Sequence, residues 1–339
     1  SCMADSLVIV AAPSSGLRLA VCDVPLLARE AALRHELAPG SAAVLAQALA
    51  GSLLLAATDR PRERDKARVD VQLECGGPLR GLLVDADGSG AVRGLVRVGS
   101  LDRDGSRIES GLPQATRASA GPAEPEAAAL TRFDAGPVLA GAADQVAGIL
   151  SILRAVEGGP GEEPELHRAL VPFAGGDLGA GLTAFLRNDR AGAGEMALEV
   201  LYRRGDPLAA VAGALVLPDP AAHAEAALPV GELGARLRGG VLCDALLRAE
   251  ESAPGNSHAL AQELAGLLGL GALRVHSDLR PRFACRCSRA RVVRALSTLG
   301  AEELRDMAER DGGADASCDF CAQSYRISKG ELLDLAGAA

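Results

Sequence analysis

The chain has 339 residues, 48% of them hydrophobic and 23% charged, with a formal net charge of −9. That length accommodates two or three domains and a sizeable core, and the acidic balance argues against general nucleic-acid binding. With no Trp, two Tyr and five Phe, the core has to be built from Leu, Val and Ala, and the basic residues are almost all arginine, Lys66 and Lys329 being the only lysines.

The N-terminal stretch has no basic region, and its apolar run Leu7–Ala12 ends at Pro13, too short for the core of a signal peptide. The longest apolar stretch, Ala42–Ala57, is interrupted by Gln47 and Ser52 and falls short of the ~20 residues of a membrane span. A cytoplasmic location without a membrane partner is therefore expected. In a reducing compartment, clustered cysteines read as metal or redox sites rather than as a disulfide framework.

Taken in order, Pro25–Glu36 carries Leu26, Leu27, Ala31 and Leu33 at helical spacing, with Asp23 as its candidate cap. Pro39-Gly40 breaks that helix, and Ser41 caps a second one to about Ala57, apolar on most of its surface and hence buried. Asp59–Lys66 is a charged turn. Val69, Val71, Leu73 and Cys75 alternate with polar residues as in a half-buried strand. Gly76-Gly77-Pro78 and Asp87-Gly88-Ser89-Gly90 then turn the chain into Leu79–Val84 and Val92–Val98, which makes a three-stranded meander. Residues 102–130, rich in Ser, Gly, Pro and Ala, are expected to be a flexible surface insertion. Strands follow at Gly148–Val156 and Ala169–Phe173, separated by a loop over Gly158–Pro164. A helix over Asp177–Arg187 and strands over Glu195–Leu201 and Ala209–Leu217 complete an α+β core domain, 1–218. Residues 219–278 are helical but punctuated by glycine, each interior one costing about 1 kcal/mol against alanine, so a labile helical linker is expected. The last segment, 279–339, is a small cysteine-bearing domain in which Ser288 caps Arg289–Leu299, Ala301–Arg310 makes a second helix, and Tyr325–Ile327 precedes a final helix near Glu331–Leu335.

That segment holds Cys285-Arg286-Cys287, thirty intervening residues, and Cys318-Asp319-Phe320-Cys321. Two close thiol pairs far apart in sequence can close around one ion, and tetrahedral Zn²⁺ held by four thiolates at about 2.3 Å is the economical reading. Ordinary buried thiols or a disulfide pair are the bland alternatives. Arg280, Arg282, Arg286, Arg289, Arg291 and Arg294 bracket the first pair with no acid between Asp278 and Glu302. They admit three readings, namely a solvated helix face, a phosphate contact, or electrostatic support for the thiolates.

Other apparent motifs fail. Gly179-Ala180-Gly181-Leu182-Thr183-Ala184 matches the loosest dinucleotide fingerprint but falls inside a helix. Asp85–Gly90 hints at a calcium loop, yet Val96 stands where the closing Glu belongs. His35, His167, His223, His258 and His276 are scattered, and Cys22, Cys75 and Cys243 sit on apolar patterns as inert thiols. No nucleophile or acid–base constellation is present, so the chain is not expected to be an enzyme.

The run Phe283-Ala284-Cys285-Arg286-Cys287-Ser288-Arg289, the Ala295-Leu296…Leu299-Gly300…Glu303-Leu304 helix pair, and Cys318-Asp319-Phe320-Cys321…Tyr325 closely resemble the C-terminal zinc domain of the heat-shock protein 33 family. Arg34-His35-Glu36-Leu37-Ala38-Pro39 and Gly76-Gly77-Pro78-Leu79…Val84-Asp85-Ala86…Val92-Arg93-Gly94 are similar to the family's core domain. The resemblance implies a redox-regulated, ATP-independent holdase whose partners are unfolded or misfolded client proteins, and it leaves open a homodimer on activation. It implies one Zn²⁺ held by Cys285, Cys287, Cys318 and Cys321 in the reduced state, and oxidation to Cys285–Cys287 and Cys318–Cys321 disulfides with zinc loss and linker unfolding. The reading in competition with it is a constitutive adaptor with purely structural zinc, meeting nucleic acid or protein through its arginine face.

Overall fold

The computed structural model describes residues 4–57, 67–108, 130–140, 148–156, 163–188, 194–219 and 229–338. The charged turn at 59–66 and, of the expected insertion and loop, residues 109–129 and 158–162 lie outside the described residues. The chain divides into two compact units, Ser1–Phe283 and Ala284–Ala339.

In the first unit the elements are β1 (Ser6–Ala12), β2 (Leu17–Asp23), α1 (Pro25–Arg34), α2 (Pro39–Ala57), β3 (Ala67–Glu74), β4 (Gly81–Asp87), β5 (Ala91–Val96), β6 (Thr131–Arg132), α3 (Gly136–Leu139), β7 (Gly148–Val156), β8 (Glu165–Phe173), α4 (Leu178–Asn188), β9 (Glu195–Arg203) and β10 (Asp206–Pro218). They continue through α5 (Val230–Arg236), a π turn (Leu237–Val241), α6 (Leu242–Ser252), α7 (Ser257–Leu268), β11 (Arg274–Leu279) and β12 (Arg282–Phe283). The second unit contains α8 (Arg289–Leu296), α9 (Ala301–Arg310), β13 (Gly313–Ser317), β14 (Ser324–Ser328) and α10 (Lys329–Ala338). The fold is α+β.

Two six-stranded sheets organise the first unit, in the orders β11-β1-β2-β10-β9-β6 and β12-β5-β4-β3-β7-β8. The expected meander is β3-β4-β5, extended on one side by β7 and β8. Helix α2 lies between the sheets, packing on β2, β9 and β10 of one and on β3, β4 and β5 of the other. That position explains its composition, since a helix apolar all round needs cover all round. By length and hydropathy alone it could cross a bilayer, but it is wholly buried in the core, with Val44, Leu45, Leu49, Leu53 and Leu54 each at most 1% exposed. Each such side chain contributes about 1.5–3 kcal/mol relative to exposure.

The sheet containing β1 is apolar on both faces, because successive side chains on a strand alternate. Leu7, Ile9, Ala20, Cys22 and Leu215 join the core around α2. Val8, Val10, Leu19, Val21 and Val216 join a second core built with Leu233, Leu237, Leu246, Leu260 and Leu264 from α5–α7.

Several expectations change. Asp23 does not cap α1. The cap comes from Asp5, whose carboxylate accepts the Leu26 and Leu27 amides at 2.9 and 2.5 Å, while both Asp23 oxygens are buried away from the helix amides, beside the Glu250 carboxyl. Helix α2 begins at Pro39 rather than after a break there, because the Leu101 carbonyl accepts the Gly40 and Ser41 amides. The Ser41 hydroxyl donates to the Val98 carbonyl instead of capping. Residues 102–108, expected to be flexible, form a tight turn closed by a Leu101–Arg107 bridge. Strand β8 starts at Glu165, ahead of the expected Ala169. The helical segment expected over 219–278 ends at Leu268, and β11, which includes Val275, then pairs with the outer edge of β1. The run Leu7–Ala12 is β1 itself.

Burial raises the Asp5 carboxyl from 3.8 to about 6, against the lowering effect of the two amides it caps. A carboxyl raised in the folded state adds stability that is complete below about pH 4 and is lost as pH rises through about 6. Urea unfolding across that window is expected to show a decline in which Asp5 accounts for on the order of 2–3 kcal/mol. Asp5→Asn, which keeps an acceptor for one amide, should flatten it. An unchanged slope would refute this assignment.

Candidate metal centre

Both thiol pairs belong to the second unit, where the local chain sets their positions. Cys285 and Cys287 precede α8, whose cap is the Ser288 hydroxyl accepting the Arg291 amide at 3.3 Å. Cys318 and Cys321 sit in the turn between β13 and β14, a hairpin paired from Gly313–Ser328 to Ser317–Ser324. In that turn the Cys318 carbonyl accepts the Cys321 and Ala322 amides at 3.3 and 2.8 Å, and the Cys318 amide returns to the Gln323 carbonyl at 3.0 Å. Ala322 takes a left-handed φ of 56° to close it.

The four cysteines come together with every Sγ within 4.8 Å of the others. Cys285 and Cys318 sulfurs are 3.6 Å apart, and Cys287 and Cys321 sulfurs 3.3 Å apart. A tetrahedron of thiolates around a metal at about 2.3 Å has edges of roughly 3.8 Å, so the donor set fits such an ion. Burial and the three neighbouring thiols push Cys321 up to about 12, and burial also raises Cys318. Four thiolates in so small a volume need a cation, and the group can hold a metal ion or form disulfides.

Tyr325 completes the site, its hydroxyl donating to Cys287 Sγ at 3.1 Å. That hydrogen bond pushes the phenol up to about 12. Sequence reasoning gave Tyr325 no role. Its signal was its place on β14, just past the second pair. Glu331 closes a capping box at the start of α10, accepting from the Ser328 amide at 2.9 Å and its hydroxyl at 2.8 Å. These bonds, with Arg289 at 2.5 Å, hold its carboxyl down at about 2.

The arginine run is partly spent inside the fold. Arg289 binds Glu331 and the Arg326 carbonyl, Arg291 donates to the Arg286 carbonyl, and Arg282 donates to Ser89. The other candidates stay apart. His258 pairs with Asp278 at 2.9 Å, His167 stacks near Phe185, and His223 lies outside the described residues. Asp87 Oδ1 accepts from Ser89 and Ala91 in an ordinary hairpin turn, and Gly179 and Gly181 lie within α4. Cys22 and Cys75 are buried and Cys243 half-buried, and burial raises all three thiols.

The family model described as Hsp33 protein matches residues 5–328. Among curated proteins, the 33 kDa chaperonin of Synechocystis sp. is 33% identical over 335 residues, covering 99% of this chain and 97% of its own. That of Rippkaea orientalis is 32% identical, covering 98% and 96%. Among solved structures, the 33 kDa chaperonin (heat shock protein 33 homolog) of Thermotoga maritima superposes with a TM-score of 0.63 over 99% of this chain and 98% of that one, at 18% identity.

Removing the Tyr325 hydroxyl takes away the donor that stabilises negative charge on the Cys287 sulfur. In reduced, chelator-treated protein, Tyr325→Phe is expected to slow iodoacetamide modification of Cys287 about two- to threefold, the share of a hydrogen bond worth ~1 kcal/mol that reaches the rate. Modification followed by mass spectrometry gives the rate at each thiol, and an unchanged Cys287 rate would remove Tyr325 from the site.

Proposed function

The chain belongs to the Hsp33 family, and we propose that it is an ATP-independent holdase chaperone switched on by oxidation of Cys285, Cys287, Cys318 and Cys321. In the reduced state these residues hold one Zn²⁺. The observation that carries this reading is the closed four-sulfur cluster in a unit with little else to fold around. The buried apolar residues there are Leu304, Ala308, Ile327, Leu332 and Ala336 among the described residues. So small a core needs a cross-link, and for a structural metal the binding free energy is folding free energy. When bound, Zn²⁺ supplies the positive charge that keeps four thiolates together.

In each oxidation two thiolates give two electrons to one hydrogen peroxide, whose O–O bond breaks and which takes up two protons to leave as two waters. The products are the Cys285–Cys287 and Cys318–Cys321 disulfides, a pairing that rests on the family resemblance. Sulfurs joined in this way no longer serve as thiolate donors, and the unit loses its cross-link. Strand β12 ends at Phe283, directly before Ala284-Cys285, so disorder in the cysteine unit passes along the chain into 219–278. Release of α5–α7 uncovers Val8, Val10, Leu19 and Val21 on the sheet. An apolar surface of that kind holds unfolded clients without turnover chemistry. The working compartment is the reducing cytoplasm, where the thiols persist until oxidant arrives.

The test follows zinc release with a chromogenic chelator during peroxide treatment while assaying suppression of client aggregation in the same sample. Both are expected to rise together and to reverse with reductant, and Cys285→Ser or Cys318→Ser should uncouple them from peroxide. Light scattering of the activated sample reads whether the active form is a homodimer. Zinc that stays bound, or leaves without holdase activity appearing, would sink the switch and favour the constitutive adaptor.

A further inference from the structure

Most of the cover that α5–α7 give the sheet is apolar and non-directional, but at one place it is ionic. Strand β9 places Glu195 and Glu199 on the same side, four residues apart, each carboxylate with 2% of its side chain exposed. From α4, Arg187 reaches Glu195 with Nε at 3.0 Å. From the π turn, Arg238 reaches the other Glu195 oxygen at 2.8 Å. Arg238 also donates to Thr183 Oγ1 at 3.2 Å and to the Met196 carbonyl at 3.1 Å. Beside it Arg132 binds Glu199 at 2.7 Å and donates to the Arg238 carbonyl at 3.3 Å.

The backbone around Arg238 is shaped for this contact. A Cβ on Gly234 would stand 2.4 Å from the Glu195 Cβ, so α5 lies directly against that glutamate. The helical run is then broken at Gly240, whose φ of 125° other residues rarely adopt, so that α5 and α6 meet at a kink. Arg238 stands two residues before that kink, with 21% of its side chain exposed.

We propose that Arg238 is a latch that holds the α5–α6 hinge on the core through Glu195 and sets the oxidant dose at which the sheet face is released. The dose-setting half rests on the reading above, that α5–α7 cover the client surface. The latch half stands on the geometry alone. Apolar helices can slide on an apolar sheet, whereas a guanidinium ion-paired with a buried carboxylate and hydrogen-bonded to a hydroxyl and a carbonyl fixes one register.

The experiment compares reduced, zinc-loaded full-length protein with Arg238→Met, Arg238→Lys and Arg236→Met variants. Amide hydrogen exchange across 230–252 is measured alongside the peroxide dose for half-maximal holdase activity. Arg238→Met is expected to speed exchange at least about tenfold, as for a segment whose local opening free energy has dropped, and to lower the dose. Lysine keeps the charge at nearly the bulk of methionine, so Arg238→Lys should recover part of both effects. Arg236 donates to the Leu267 carbonyl within the same helical segment, and its variant should move neither. Wild-type exchange in Arg238→Met overturns the latch, whatever the chaperone assay reads. Faster exchange at an unchanged dose keeps the latch and overturns the dose-setting half, along with the assignment of α5–α7 as the cover of the client surface.

Discussion

A sheet apolar on both faces has to be covered twice, and the first unit is arranged around that requirement. Strands β1, β2, β9 and β10 present alternate side chains to α2 on one side and to α5–α7 on the other. The two covers differ in kind. Helix α2 is enclosed between two sheets and cannot leave without dismantling the core that both sheets share. Helices α5–α7 lie on one sheet only, and their far side faces away from that core. In the proposed reading that asymmetry is the chaperone's working principle, because the fold survives the loss of one cover and not of the other.

The second unit follows the opposite economy. Five described residues form its buried apolar centre, while four sulfurs converge from two distant segments. Around them the unit relies on polar devices, namely the Ser288 cap, the Ser328–Glu331 box and the Arg289–Glu331 pair. These are exposed interactions, each worth little by itself. In the proposed reading a unit held this way responds to chemistry at sulfur, whereas the large apolar core keeps its few sulfurs, such as Cys22 and Met196, buried. The two units thus assign stability and sensitivity to different parts of the chain.

Much of this was legible in the sequence wherever one residue class carried the signal. The cysteine spacing brought four thiols to one point, the Ser288 cap was readable, and period-two alternation marked β3. What stayed hidden needed partners distant in sequence. Asp23 looked like a cap because it stands next to α1, but the spatial neighbour is Asp5, just ahead of β1. Val275 continued a helical pattern until the free edge of β1 turned its neighbourhood into a strand. Glu195 and Glu199 were readable in principle. Two acids at same-face spacing in a run that is otherwise apolar need cationic partners, yet nothing local says that Arg187, Arg132 and Arg238 provide them.

The pairing of β2 with β10 has a consequence for the chain's own birth. Its partners, Ala212–Pro218 and Leu17–Asp23, are separated by most of the first unit, so the sheet cannot close until β10 has been synthesised. At ribosomal rates that interval is roughly 10–40 s. Throughout it a nascent segment as greasy as a membrane anchor, Pro39–Ala57, waits for its second wall. In the proposed reading, the same sequence that would shield other unfinished polypeptides passes through a long unshielded infancy of its own, and its expression is expected to depend on the kind of help it would itself give.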